Sequence, residues 1–169
     1  MAGTLAGRVT LRDPHEGEQA VGEESVWEDW GERDAPRLVD LARAVVELDG
    51  VRAGSMSWHP VYYGPNLGSR AYNIGISLAA EFRGRGIGSV AQRLLAERLF
   101  ATTNATRVEA STDVDNVAEQ RALEKAGFRR EGVLRSAQAR ADGLHDIVVY
   151  ALLRTDLPEA DLPGADLSV

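Results

Sequence analysis

The sequence predicts an α+β fold, a mixed and mostly antiparallel sheet flanked by helices. Three observations carry this expectation. Asp49-Gly50 and Asp142-Gly143 each divide two β-forming runs, and Asp-Gly between such runs is the strongest short-range hairpin signal. A strand-like run ending in Ile76-Ser77-Leu78 leads into Arg83-Gly84-Arg85-Gly86-Ile87-Gly88. Beyond it, Ile87, Val90, Ala91, Leu94 and Leu95 recur at the spacing of a helix with one buried face. The hairpins exclude an all-parallel sheet, because a tight turn joins antiparallel strands.

Taken in order, residues 8–12 alternate and read as a strand. Residues 13–36 are polar and interrupted by Pro14, Gly17, Gly22, Gly31 and Pro36. They carry the cluster Trp27-Glu28-Asp29-Trp30 in a chain that is only 6% aromatic. Residues 42–48 and 51–58 form the first hairpin. Residues 59–69, rich in Gly and Pro, read as a loop. A strand follows over 70–79, a helix to about Phe100, a strand over 106–112 and a second helix over 116–126. Asn116 with Glu119 three residues later makes a capping-box-like start for that helix. Gly127 suits the left-handed position just past its end. Residues 128–140 and 144–153 pair as the second hairpin. The acidic segment from Asp156 reads as a frayed tail, so the expected division is a single domain over 1–155 and a flexible tail over 156–169.

Composition narrows the function. The chain has 169 residues, a size suited to one domain. Nineteen basic residues against 26 acidic ones give a net charge of −7, which argues against binding along a nucleic-acid backbone. The absence of cysteine excludes disulfides, thiolate nucleophiles and Cys-based zinc sites. His15, His59 and His145 are too scattered to suggest a catalytic metal. No apolar run approaches the ~18 residues of a membrane span, and no basic-then-apolar leader opens the chain. No membrane partner is expected, and a cytoplasmic setting is.

The strongest chemical signal is the strand–glycine loop–helix unit. A helix start carries unpaired N–H groups and the positive end of the helix dipole, so it binds anions. Glycines let a phosphate approach the backbone, and Arg83 and Arg85 add bidentate donors. The unit is suited to a phosphate or pyrophosphate. Its spacing matches neither the P-loop, which needs Lys-Ser/Thr after the last Gly, nor the dinucleotide fingerprint, whose third Gly would be misplaced.

These residues resemble the GNAT N-acetyltransferase superfamily, whose coenzyme A loop reads (Arg/Gln)-x-x-Gly-x-(Gly/Ala). Arg83, Gly86 and Gly88 match it in position. The segment from Asn116 through Glu124-Lys125-Ala126-Gly127-Phe128 to Glu131-Gly132 is similar to the branch that acetylates ribosomal-protein N-termini. The resemblance covers about residues 40–155. It implies that acetyl-CoA, or another acyl-CoA, lies in a split between two neighbouring strands of the sheet. Ile76, Ser77 and Leu78 would offer backbone groups to the pantetheine arm. The pyrophosphate would sit on Arg83, Gly84, Arg85, Gly86, Ile87 and Gly88, with Ser89 in the first helical turn and Asn116 on the arm.

The implied reaction is direct acyl transfer to a primary amine, on a small molecule or a peptide N-terminus. Relatives often dimerise, so a homodimer is a further expectation. The alternative is a CoA-binding sensor or scaffold without turnover. It is motivated by Asn73, which stands where the branch often has a Glu. Transfer to an ammonium needs a base near neutral pH. The candidates are Glu109, Asp113 and the Glu28/Asp29 pair, with water relay as a further route. Many GNAT enzymes carry a tyrosine after the leucine of this helix to protonate the leaving thiolate; here Glu124 follows Leu123, and the candidates are Ser111, Ser77 and water. Trp27, Glu28, Asp29 and Trp30 are expected to line the acceptor site, two indoles and two carboxylates suiting a cationic amine. Tyr62 and Tyr63, on the long loop, are the other acceptor candidates. His145 and Asp146, after the second turn, are expected at the surface or in a dimer contact.

Overall fold

The structure, a computed structural model, describes residues 7–19, 26–29 and 41–158. Trp30 and most of the acidic tail lie outside the described residues. The strands are β1 (Val9–Arg12), β2 (Ala42–Leu48), β3 (Val51–Tyr62), β4 (Arg70–Leu78), β5 (Arg107–Asp113), β6 (Arg129–Arg140) and β7 (Gly143–Leu153). The helices are α1 (Ile87–Thr102) and α2 (Val117–Lys125). The strands form one sheet in the order β1-β2-β3-β4-β5-β7-β6. Among the described residues only β4 and β5 run parallel; the other neighbours are antiparallel.

Both expected hairpins are present. Asp49 and Gly50 sit at φ 51° and 79°, the left-handed pair that a two-residue hairpin with natural twist requires. In the second hairpin Arg140 pairs with Gly143. The turn residues are therefore Ala141 and Asp142, one place before the Asp-Gly pair. Gly143 opens β7 at φ 139°, a conformation that L side chains rarely adopt.

The expected loop over 59–69 starts later than the glycines and prolines suggest. Strand β3 continues through His59, Pro60 and Val61 to Tyr62, paired with β4 down to Arg70. Pro60 is tolerated because β2 pairs with β3 only as far as Trp58. Beyond that point β3 has one partner among the described residues, so a missing N–H on the other side leaves no ladder bond unmade.

Helices α1 and α2 pack on one face of the sheet. The α1 stripe Ile87, Ala91, Leu95 and Leu99 meets Met56, Ile74 and Val108, while Leu123 of α2 joins Ala110, Val148 and Tyr150. Side chains alternate along a strand. Asn73, Gly75 and Ser77 of β4, with Glu109, Ser111 and Asp113 of β5, therefore belong to the face opposite the helices. The packed body runs past the expected boundary at 155. Leu157 is a core residue, 5% exposed, and Arg129 pairs with Asp156 at 2.9 Å.

Candidate active site

Strands β4 and β5 pair at only two rungs, Tyr72 with Val108 and Asn73 with Glu109. Beyond Asn73 and Glu109 the two strands continue without pairing, to Leu78 and Asp113. The sheet is split there. The Ala79 N–H donates to Ala53 O at 3.0 Å on the β3 side. Counting back along the alternation of the ladder, the backbone groups of Ile76 and Leu78 face the other way, into the split. Leu78 O accordingly accepts a bond from outside the sheet, from Arg83 Nε at 2.8 Å.

The loop at the open end of β4 forms a backbone cradle. Gly84 and Gly86 sit at φ 70° and 81°, and a Cβ at either would meet no atom within 4 Å. Gly86 caps α1 without a side-chain hydrogen bond, so the first N–H groups of the helix face the cradle. Ile87, fully buried, pins the helix start to the core. Ser89 Oγ turns back to Gly86 O at 2.9 Å. Arg85 lies 5.7 Å above the Phe82 ring. At Gly88 a Cβ would make ordinary contact with Leu78 and Ile76 at 3.8 and 3.9 Å, so the first turn of α1 lies beside the edge of the split. Exposed N–H groups, open space and two arginines fit the pyrophosphate of an acyl-CoA.

Asn116 stands on the β5 side. Its Oδ1 accepts the Glu119 N–H at 3.3 Å and its Nδ2 donates to Thr112 Oγ1 at 3.0 Å. It is the N-cap of α2 and ties that helix to the strand below.

Two polar networks occupy the face opposite the helices. In the first, Glu109, 5% exposed, accepts the Tyr63 hydroxyl at 2.6 Å and Arg107 Nε at 3.1 Å. Arg107 also forks onto Glu131 at 2.8 and 2.5 Å. The hydrogen bond to Glu109, aided by burial, raises the Tyr63 phenol above its ordinary value. The Arg107 hydrogen bond holds the Glu131 carboxyl below the usual carboxylate range. This network borders a cavity of about 730 Å³, walled by Tyr63, Ala71, Arg107, Val133, Leu134 and Val149. Two sequence candidates from distant segments, Glu109 and Tyr63, are thus brought into contact. Tyr62, the last residue of β3, is exposed.

The second network lies at the far end of β5. Burial would push the Asp113 carboxyl up, but bonds from the Asp115 N–H and His145, with the Arg140 charge, hold it below its ordinary value. His145 is bound on both sides, Nδ1 to Asp113 at 2.5 Å and Nε2 to Asp142 at 2.7 Å. The Asp113 bond, then the Asp142 bond, raises its pKa. His145 is therefore a structural bridge, whereas a surface role was expected. Asp146 accepts the Ser136 N–H at 2.7 Å. Arg140 lies 3.7 Å from Asp113 and donates to the Trp27 carbonyl. The Ala141 N–H donates to Asp29 O at 3.1 Å. These bonds dock the segment of Trp27 and Asp29 on the tip of the second hairpin; Glu28 ends the single 3-10 turn there. Ser111, half-buried, lies between the two networks on the same face.

Sequence reasoning missed Arg107 and Arg140, and gave His145 and Glu131 no part in the site. Arg107 was within reach, since two residues apart on a strand means one face. The others are brought in across distances of 24 to 113 residues.

A parallel strand pair splayed beneath a glycine loop that opens a helix is the arrangement that the GNAT resemblance implies for an acyl-CoA site. Comparison with known proteins gives the family: the model of the acetyltransferase (GNAT) domain matches residues 12–129, and the chain belongs to the GNAT acetyltransferases, whose cosubstrate is an acyl-CoA. It is 30% identical over 129 residues to the "Putative ribosomal N-acetyltransferase YdaF" of Bacillus subtilis (strain 168), covering 70% of this chain and 68% of that one. Among solved structures it is similar to Mycobacterium smegmatis RimJ in complex with CoA-disulfide, at 26% identity and TM-score 0.63 over 70% of this chain and 56% of that one. It is also similar to a GNAT-family acetyltransferase from Bacillus anthracis, at 26% identity and TM-score 0.57 over 66% and 65%. The chain spans 56% to 68% of the length of these three proteins.

Proposed function

We propose that this chain transfers the acetyl group of acetyl-CoA to a primary amine by direct attack, with a peptide N-terminus as the favoured acceptor class and small amines as the wider one. The observation that carries the reading is the parting of β4 and β5 beyond Asn73 and Glu109, directly beneath the open cradle of Gly84 and Gly86. The peptide acceptor is supported by the 30% identity to YdaF, which is named as a ribosomal N-acetyltransferase.

The bound acetyl-CoA supplies a thioester carbonyl as electrophile. The loop and the start of α1 hold its phosphates, and Ile76 and Leu78 line the split with backbone donors and acceptors. An N–H aimed at a developing oxyanion is among the strongest catalytic contributions available to a protein. Glu109 is the base in this reading. It stands at the last paired rung, where the split begins, and its carboxylate is held in place by Tyr63 and Arg107. Asp113 is less suited, because its carboxyl is pushed down and engaged by His145; a weak base takes a proton from an ammonium poorly. Ser111 is the hydroxyl that serves the departing thiolate. Trp27, Glu28 and Asp29, with Tyr62 and Tyr63, form the acceptor side.

The test is release of CoA thiol from acetyl-CoA with and without a panel of amines, including short peptides with unblocked N-termini. Release that requires an amine, with acetylated product found by mass spectrometry, is the expected result. Hydrolysis at one rate regardless of amine, or no release at all, overturns the reading.

A further inference from the structure

The contact between α1 and α2 contains a polar pair where the neighbouring positions are apolar. Gln92 of α1 is 1% exposed, and its Nε2 donates to Glu119 Oε1 of α2 at 2.9 Å. Its own Oε1 is buried with no hydrogen-bond partner. A buried amide oxygen without a donor keeps its full desolvation penalty, and native proteins leave few such groups. Turning the amide over does not remove the defect, since Nε2 would then lack the partner. Two apolar side chains would close this contact at no such cost.

The location gives the pair a purpose. A Cβ at Gly88 would lie 3.9 Å from Gln92 Nε2, beside the Leu78 and Ile76 side chains. Gln92 therefore stands on the β4 side of the split. Glu119 is on the first turn of α2, whose cap Asn116 is bonded to Thr112 of β5, the other side. The Gln92–Glu119 bond crosses from one lip of the split to the other, over the helix-side mouth. Pantetheine carries two secondary amides, and an amide N–H is the donor that an orphaned carbonyl oxygen lacks.

We propose that Gln92 and Glu119 form a clamp across the split that recognises an amide of the pantetheine arm, with Gln92 Oε1 accepting its N–H. The proposal rests on the acetyl-CoA reading above. The carboxyl of Glu119 has a related property: burial pushes it up to about 7, and the Gln92 bond pulls the other way. Those two influences set its titration, and Gln92 is the side chain that faces it from α1. An arm laid against Glu119 buries it further and so favours its neutral form.

The test compares CoA with 3′-phosphoadenosine 5′-diphosphate, which keeps the phosphates and lacks the arm, by calorimetric titration. Gln92→Leu is expected to weaken CoA binding about 5- to 20-fold, the loss of one buried hydrogen bond, with binding of the arm-less fragment unchanged. Equal affinity of Gln92→Leu and wild type for CoA overturns the proposal, as does an equal loss for both ligands. Glu119→Gln gives a second measurement that keeps the helix contact. Wild-type affinity for CoA is expected to fall between pH 6 and pH 8 more steeply than that of Glu119→Gln, and identical slopes overturn the clamp. A wild-type protein that binds the fragment but gains nothing from the arm also overturns it. A protein that binds neither ligand instead removes the acetyl-CoA reading itself.

Discussion

The proposed donor site and the proposed acceptor face are built in different ways. The donor site is local: a strand end, a turn and a helix start, all between Ile76 and Gly88, presenting backbone groups through glycines at φ 70° and 81°. The proposed acceptor face is assembled from side chains that are remote in sequence. Tyr63 reaches Glu109 across 46 residues, His145 reaches Asp113 across 32, and Arg140 reaches the Trp27 carbonyl across 113. A backbone site survives changes in most neighbouring side chains, whereas a side-chain network depends on each member. Substitutions on the two sides should therefore fail differently, one losing cofactor affinity and the other losing turnover.

The largest effect on cofactor affinity is expected on the donor side. Gly86→Val forces a β-branched residue to φ 81° and places its side chain in the cradle. Acetyl-CoA affinity should fall at least about 100-fold, or ~2.7 kcal/mol, with ~1–2 kcal/mol of stability lost to backbone strain. Titration calorimetry and thermal melting check the two numbers. Near wild-type affinity would remove the loop from the site.

The next effect separates the faces most sharply. Glu109→Gln keeps the shape and removes the base, so kcat should fall roughly 10²- to 10⁴-fold while acetyl-CoA affinity stays within about twofold. Tyr63→Phe removes one hydrogen bond to Glu109 and should cost less, about 3- to 10-fold in kcat/KM. Steady-state kinetics decide this. Full activity of Glu109→Gln would pass the base role to another group on the same face.

Glu119 gives a stability effect at the helix contact between the lips. Its carboxyl is raised from the ordinary value of 4.5 to about 7, so the folded state holds its proton more tightly than the unfolded chain does. Stability falls as pH rises from about 4.5 through about 7. Glu119→Gln should therefore stabilise the protein at pH 8 by on the order of 2–3 kcal/mol, at ~1.4 kcal/mol per pKa unit, and change little at pH 4. Melting curves at both pH values test it; a gain of equal size at both would contradict the burial account.

The smallest effect is expected at the second network. The pKa of His145 is raised, so its contribution is complete below the ordinary histidine value and is lost as pH rises through the raised one. That of Asp113 is depressed, so its contribution is lost only as pH falls well into the acid range. His145→Gln should lower the melting temperature most in mildly acidic buffer, with the difference narrowing in alkaline buffer. A pH-independent difference would mean that the imidazole serves by packing alone.

This contrast also explains what could be read in advance. The hairpin signals, the Ile87 to Leu95 periodicity and the Arg83 to Gly88 spacing act within a few residues, and the structure forms each of these elements, with the second turn one residue before its Asp-Gly pair. Pro60 misled because its cost depends on which side of β3 has a partner, a property of the sheet and not of the local sequence. Glu109 was legible as one of several carboxylates, but the Tyr63 hydroxyl and the Arg107 fork that hold it depend on strand order. His145 looked like a residue after a turn; only the antiparallel pairing of β5 with β7 brings it to Asp113. Gln92 reads as an ordinary helical residue until α2 is laid beside α1.

The most direct test of the account is a calorimetric titration of the wild-type protein with acetyl-CoA, beside one with ATP at the same concentrations. The account predicts a single acetyl-CoA site per chain, with heat absent or far weaker for ATP, because ATP offers phosphates to the loop but no arm to the split. Equal binding of the two would reduce the site to a phosphate loop. No binding of acetyl-CoA would contradict the claim that the parting of β4 and β5 holds an acyl donor.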